Sequence, residues 1–151
     1  MQPLDFLQTA ECLLLTGQRE PDWRTTVSRS YYALYWMISQ ELLSTIPLLL
    51  LQSASLCRKD HVLHEKLPQA LISSSDPRIR EFGALLENLR IDRIKSDYKL
   101  SLFVSKAKAA DVYENAIDLR SEVQKYGIGK LVKTVRFDLE KVHADKPPRS
   151  E

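Results

Sequence analysis

Apolar residues recur along this chain at the spacing of an α-helix, and turn-forming residues interrupt the recurrence at only a few points. The pattern predicts a first helix that begins near Pro3 and stops at Gly17. A long second helix is predicted with Asp22 as its N-cap, and Pro47 ends it. Residues 48–60 are predicted to form an irregular connection with room for one short helical turn.

The middle of the chain continues with helices. His61 begins a short predicted helix that ends before Asp76. Asp76 is a good N-cap and Pro77 a good first helical residue, so the next helix is predicted to begin there. A break over residues 99–105 separates this helix from another long one, which Gly127 terminates.

The carboxyl end of the chain has an ambiguous pattern. Residues 130–143 match both the spacing of a helix and the alternation of a strand, and the helical context favours a helix. Residues 144–151 contain two consecutive prolines and are predicted to be a disordered tail. We therefore expect one all-α domain over residues 1–143, folded as a bundle of about five helices.

The helix that Pro77 begins places charge where its own pattern calls for apolar side chains. Its core-facing stripe is apolar at Phe82, Leu85, Leu86 and Leu89, and the next members are Arg93, Ser96 and Asp97. A second apolar line, formed by Ile91, Ile94 and Tyr98, predicts that this end of the helix is covered on both flanks. Arg93 and Asp97 should then be partly enclosed, and enclosing a charge is costly unless it is paired or used. A phosphate or nucleotide site would use the charge of Arg93. The alternative is that Arg93 and Asp97 form an ion pair that only caps the core.

The second helix is apolar on two sides, which predicts a central core helix in which Tyr31 and Trp36 are buried. A further interpretation is that one side meets a partner chain, because aromatic residues are enriched at interface centres. Ser28 and Tyr32 carry hydroxyl groups and Arg29 a guanidinium, and all three could reach the Arg93 region if the two helices are antiparallel neighbours.

Composition and charge restrict the kinds of ligand and partner that we expect for this protein. Lys and Arg number 22 against 20 for Asp and Glu, so nucleic-acid contact requires a local patch rather than a bulk positive field. The chain has no Gly-rich phosphate loop, and its His-x-x-His-Glu run at 61–65 matches neither order of zinc-protease ligands. We expect neither metal nor cofactor. With no secretory signal and no apolar run long enough to span a bilayer, we expect a cytoplasmic protein without membrane contact.

Three segments together resemble the HEPN domain family. They are Ser-Arg-Ser-Tyr-Tyr-Ala-Leu-Tyr at 28–35, His-Val-Leu-His at 61–64, and Leu-Arg-x-x-Arg-x-x-Ser-Asp-Tyr at 89–98. The resemblance covers roughly Leu4 to Val123, and the order of the motifs carries more weight than any one of them. It implies a helical bundle, commonly a homodimer, of the kind found in toxin–antitoxin and phage-defence systems. Many members are metal-independent ribonucleases that use an Arg and a nearby His, and others bind nucleotides or pair with a small nucleotidyltransferase.

The chain departs from the family's ribonuclease motif after Arg93, because the following turn contains no His. It is similar instead to the branch whose motif ends in Asp-Tyr, here Asp97 and Tyr98. An imidazole, the side chain that titrates near neutrality, is thus missing from the motif. Arg58 and His64 imitate an Arg-then-His spacing, but they lie ahead of the short helix, and we treat the match as coincidence.

These observations favour a nucleotide- or RNA-binding helical protein in which Arg93 contacts phosphate. Two alternatives stay open: an endoribonuclease that acts across a dimer cleft, and a purely structural dimerisation domain. Expected partners are a second copy of the chain, a nucleotidyltransferase-type antitoxin, and RNA or a nucleotide. The binding residues are predicted to be Ser28, Tyr32, Arg90, Arg93 and Lys95, and any catalytic residues Arg93, Asp97 and Tyr98.

Overall fold

A computed structural model describes residues 2–56 and 60–145, except for the side chains of residues 60 and 61. Over these residues the chain forms α-helices and no strand, which confirms the all-α prediction. The helices are α1 (Pro3–Thr16), α2 (Glu20–Thr45), α3 (Leu48–Ser53), α4 (Asp60–Ile72), α5 (Pro77–Tyr98), α6 (Lys106–Tyr126) and α7 (Ile128–Ala144). Arg58 and residues 146–151 of the predicted tail lie outside the described residues.

The predicted number of about five helices is wrong, because the described residues contain seven. The segment after Pro47, predicted to be an irregular connection, forms the short helix α3. It is helical because Leu50 and Leu51 then face the interior together, where both are buried. The ambiguous segment near the carboxyl end is the helix α7, as the helical context indicated.

Helix α2 is the centre of the bundle, as its two apolar sides predict. It contacts α1, α5, α6 and α7, so its side chains are covered in several directions. Tyr31, Leu34, Tyr35 and Ile38 are all at most 1% exposed. Trp36, predicted to be buried, is only partly so.

The start of α2 differs from the prediction that Asp22 is its N-cap. The helix begins at Glu20, and Asp22 is its third residue. The Asp22 carboxylate accepts hydrogen bonds from the backbone N–H groups of Gln18 and Arg19, both at 3.1 Å. A carboxylate that reaches back in this way satisfies amides ahead of the helix, so the helix can begin earlier than the N-cap pattern indicates.

The turn between α4 and α5 is held by hydrogen bonds from α6 and α7. Asp76 is the N-cap of α5, as predicted, and accepts from the Arg78 backbone N–H at 2.8 Å and from the Tyr126 hydroxyl at 2.7 Å. Asp138 of α7 accepts from the Ser74 hydroxyl at 2.8 Å. Helix α5 is therefore fixed at its amino-terminal end, which determines where its charged carboxyl-terminal end lies.

None of the helices in the described part of the chain combines the length and the hydropathy that crossing a bilayer requires.

A close approach between α4 and α5 generates the first prediction. A Cβ atom on Gly83 would lie 2.6 Å from the Ile72 backbone nitrogen and 2.8 Å from the Leu71 Cβ. We expect Gly83→Ala to lower the free energy of unfolding by about 1–3 kcal/mol, because the helices must separate. Urea denaturation, with midpoint and slope fitted separately, measures this.

Gly129→Ala is the matched control, because a Cβ on Gly129 in α7 would have nothing within 4 Å. It should leave stability unchanged or raise it by up to about 1 kcal/mol, since alanine favours helices. Equal effects of the two substitutions would contradict the close approach.

Candidate functional site

The last turns of α5 lie against α2, and this contact assembles most of the predicted site. Arg93 Nη2 donates a hydrogen bond to the Tyr32 hydroxyl and a longer one, at 3.4 Å, to the Tyr98 hydroxyl. The Ser28 hydroxyl donates to Asp97 Oδ2 at 3.3 Å. We call Ser28, Tyr32, Arg93, Asp97 and Tyr98 the Arg93 cluster; it contains five of the seven predicted site residues.

Arg93 is enclosed, as its place on the core-facing stripe predicts. Its side chain is 14% exposed and its Nε atom lies 2.8 Å from Asp97 Oδ2. The Nε–H does not point along that line, so the contact is an ion pair rather than a hydrogen bond. Within the described residues, Nη1 also donates no hydrogen bond, which leaves part of the guanidinium unused.

Aromatic rings surround the charge of Arg93. Its Cζ lies 5.1 Å from the centroid of the Tyr32 ring and 5.2 Å from that of Tyr98, both within the range of cation–π attraction. Burial lowers the pKa of Arg93, but Tyr32, Asp97 and Tyr98 outweigh burial and hold it above its ordinary value. The guanidinium is therefore a permanent positive charge.

Arg90 and Lys95 are not part of the Arg93 cluster. Arg90 forms a two-point ion pair with Glu87, with both hydrogen bonds at 2.8 Å. Those bonds raise the pKa of Arg90 above its ordinary value. Lys95 is exposed, and its position two residues after Arg93 directs it to the opposite side of α5. Arg90 thus has a carboxylate partner already, and Lys95 faces solvent.

An open groove of about 560 Å³ adjoins the Arg93 cluster. Its lining includes Ser28, Tyr32 and Asp97 of the cluster, together with Arg24 and Arg29. Arg24 is paired with Glu20 at 2.6 Å and donates to the Ser96 carbonyl at 2.7 Å.

Arg29 differs from Arg24 because it has no carboxylate partner in the part of the chain that the structure describes. Its guanidinium lies 5.5 Å from the Phe6 ring centroid. Neither arginine is among the predicted binding residues. The sequence does predict that Arg29 could reach the Arg93 region, since it lies one turn before Tyr32 on the same helix.

Helix α4 brings an imidazole to the same region. His64 Nδ1 lies 2.7 Å from the Tyr31 hydroxyl, and the His64 ring stacks on Tyr35 with centroids 3.9 Å apart. The His64 and Tyr32 ring centroids are 5.6 Å apart, so Tyr32 contacts both His64 and Arg93. Burial raises the pKa of Tyr31 far above its ordinary value, so Tyr31 is a neutral hydrogen-bonding partner of His64. His64 is not among the predicted site residues, and only the tertiary structure reveals this placement.

No family model matches this chain, and no curated protein and no solved structure matches it either.

Proposed function

We propose that this protein is a nucleotide- or RNA-binding module in which the Arg93 cluster and the adjoining groove hold a phosphate group. The observation that carries the proposal is the groove itself: it is lined by Ser28, Tyr32 and Asp97 of the cluster and by Arg29, which has no carboxylate partner among the described residues. Arginine suits phosphate because its planar fork of N–H donors matches the phosphate oxygens.

The charge balance at the groove supports an anionic ligand. Glu20 compensates Arg24, and Asp97 compensates Arg93, whereas Arg29 is uncompensated. One net positive charge therefore faces the groove. Arg93 is not among the residues that line the groove, and its Nε is buried, so it contributes through Nη1, which makes no hydrogen bond within the described residues. The Ser28 hydroxyl offers a further polar contact.

The order of the sequence motifs supports a HEPN-like assignment as part of the same proposal. On that basis the protein belongs to a prokaryotic toxin–antitoxin or phage-defence system, and its protein partner is a nucleotidyltransferase-type antitoxin. The groove is compatible with this role, because binding of a nucleotide and binding of RNA both require recognition of a phosphate group.

We also propose that two copies associate through the apolar surface beside the Arg93 cluster. Tyr98 of the cluster and Leu100, Leu102 and Phe103, which follow α5 in the chain, are all exposed. Analytical ultracentrifugation at micromolar concentration should give twice the chain mass of 17.4 kDa. Phe103→Ser should weaken association, whereas Leu15→Ser, at an equally exposed leucine of α1, should not. A monomer up to millimolar concentration would refute the dimer.

The binding proposal predicts that Arg93→Ala weakens the affinity for a short single-stranded RNA about tenfold or more. Loss of a charge-assisted hydrogen bond costs about 1.5–3 kcal/mol. Fluorescence anisotropy of a labelled RNA measures the affinity, and circular dichroism checks that the variant is folded. The affinity of Arg93→Lys should lie between those of the wild-type protein and Arg93→Ala, because lysine keeps the charge but lacks the planar fork.

Lys95→Ala is the control for that experiment, since it removes an exposed positive charge from the same helix and should change the affinity by less than about twofold. If the wild-type protein binds neither RNA nor nucleotides, or if Arg93→Ala binds them equally well, the proposal fails. A purely structural dimerisation domain would then be the better interpretation.

The placement of His64 favours a second candidate, RNA cleavage, in which its imidazole supplies the proton transfer that the turn after Arg93 lacks. We nevertheless expect no efficient cleavage of single-stranded RNA at neutral pH with EDTA present, because His64 is stacked among tyrosines and already bonded to Tyr31. Gel analysis of a labelled RNA tests this.

Rapid cleavage that is abolished by both Arg93→Ala and His64→Asn would overturn that expectation and make the protein an enzyme. His143→Asn is the control, because His143 lies exposed on α7.

A further inference from the structure

A second, more apolar pocket lies beside the groove and is unused by the function proposed above. It has a volume of about 270 Å³ and is lined by Pro3, Phe6, Trp36 and Gln40. Phe6 contacts two residues that line the groove: its ring stacks with Tyr32 at a centroid distance of 6.1 Å, and the Arg29 guanidinium lies 5.5 Å from its centroid. Phe6 therefore links the apolar pocket to the cationic groove.

The residues that connect the two cavities follow one side of α2. Arg29, Tyr32, Trp36 and Gln40 are separated by three or four residues, the spacing that places side chains one above another on a helix. From Arg29 to Trp36 the rise is about 10 Å at 1.5 Å per residue. One nucleotide extends over that length from its phosphate to the far edge of its base.

The geometry points to a base-binding subsite in the Phe6–Trp36 pocket for a ribonucleoside 5′-monophosphate unit whose phosphate is bound by Arg29 and Ser28. This inference rests on the proposed function and deepens it, since it identifies the ligand unit and assigns the first phosphate contact to Arg29. The unit is either a free nucleotide or the 5′-terminal nucleotide of an RNA.

The chemistry of the pocket selects a base over other apolar groups. Trp36 and Phe6 provide aromatic surfaces, and bases stack on such side chains without regard to sequence. The Gln40 amide carries both a hydrogen-bond donor and an acceptor, which pair with the edge of a base. An acyl chain offers them no hydrogen-bonding partner. The volume is below the range of about 300–1,000 Å³ typical of pockets for drug-sized ligands, so it suits a single ring system.

Arg29 is the cation that makes this pocket a nucleotide subsite rather than an isolated apolar depression. It has no carboxylate partner within residues 2–56 and 60–145, and it lies over the same Phe6 ring that forms the pocket wall. A ligand that places its ring system against Phe6 and Trp36 therefore brings an attached phosphate toward an uncompensated guanidinium. Arg93, whose charge Asp97 already compensates, lies deeper.

Fluorescence of Trp36 provides a direct test. The chain has two tryptophans, so in a Trp23→Phe variant all tryptophan fluorescence comes from Trp36. The probes are the four ribonucleoside 5′-monophosphates, a 5′-phosphorylated tetraribonucleotide, ribose 5-phosphate and inorganic phosphate. We expect nucleotides or the oligonucleotide to quench Trp36, and ribose 5-phosphate to bind about tenfold more weakly or worse, because it lacks the base that stacks.

Substitutions separate the two parts of the site. Arg29→Gln should weaken the binding of all phosphate-bearing probes about tenfold or more. Gln40→Leu, at an exposed position, should retain binding and reduce the preference among the four bases. Lys133→Gln, which removes an exposed charge on α7, should change nothing and controls for net charge.

The outcomes distinguish this inference from the function on which it rests. If nucleotides and ribose 5-phosphate bind with equal affinity and Trp36 fluorescence is unchanged, the base subsite is wrong while phosphate binding stands. Binding of long RNA that depends on Arg93 but not on Arg29 also refutes the subsite alone. If none of the probes and no RNA binds, the proposed function itself is refuted.

Discussion

The hydroxyl groups of two neighbouring tyrosines on α2, Tyr31 and Tyr32, tie helices α4 and α5 to the central helix of the bundle. A phenol that leaves water needs a hydrogen-bonding partner, because an unsatisfied buried polar group costs about 1–3 kcal/mol. Tyr31 obtains its partner from His64 of α4, and Tyr32 from Arg93 of α5. Helices α4 and α5 are thus tied to α2 by polar contacts. The imidazole of His64 and the guanidinium of Arg93 both lie against the Tyr32 ring.

A second set of contacts holds the carboxyl-terminal end of α5 against the start of α2. Arg24 donates to the backbone carbonyls of Ser96 and Leu102, and Glu20 accepts from the Val104 N–H at 3.1 Å. The last carbonyl groups of a helix carry partial negative charge and lack partners within the helix, so a cation from a neighbouring helix stabilises them. Because Glu20 is paired with Arg24 and with the Val104 N–H, it does not neutralise Arg29.

The sequence predicted the parts of the site that depend on a single helix. Arg93 is enclosed because its helical spacing from Phe82 and Leu89 places it on the core-facing side of α5. Even on that stripe the prediction is incomplete, since Leu85 is 39% exposed. The role of His64 depends on how α4 packs against α2, and that of Arg29 on Phe6 of α1. Contacts between helices distant in sequence leave no periodic signal, which is why His64 escaped prediction and Arg29 is predicted only as a neighbour of Arg93.

If the groove binds a phosphate group as proposed, the two unequal arginines account for how one site is both stable and receptive to an anion. A guanidinium that is buried and paired, as Arg93 is with Asp97, contributes a fixed charge and holds Tyr32 and Tyr98 in place, but any phosphate approaching it competes with a carboxylate. An uncompensated guanidinium such as Arg29 meets no such competition, and its contact with Phe6 restrains its position without cancelling its charge. In the proposed binding mode, in which the phosphate meets Arg29 first, no ion pair has to break. The free energy of ligand binding is then not reduced by the cost of exposing Asp97.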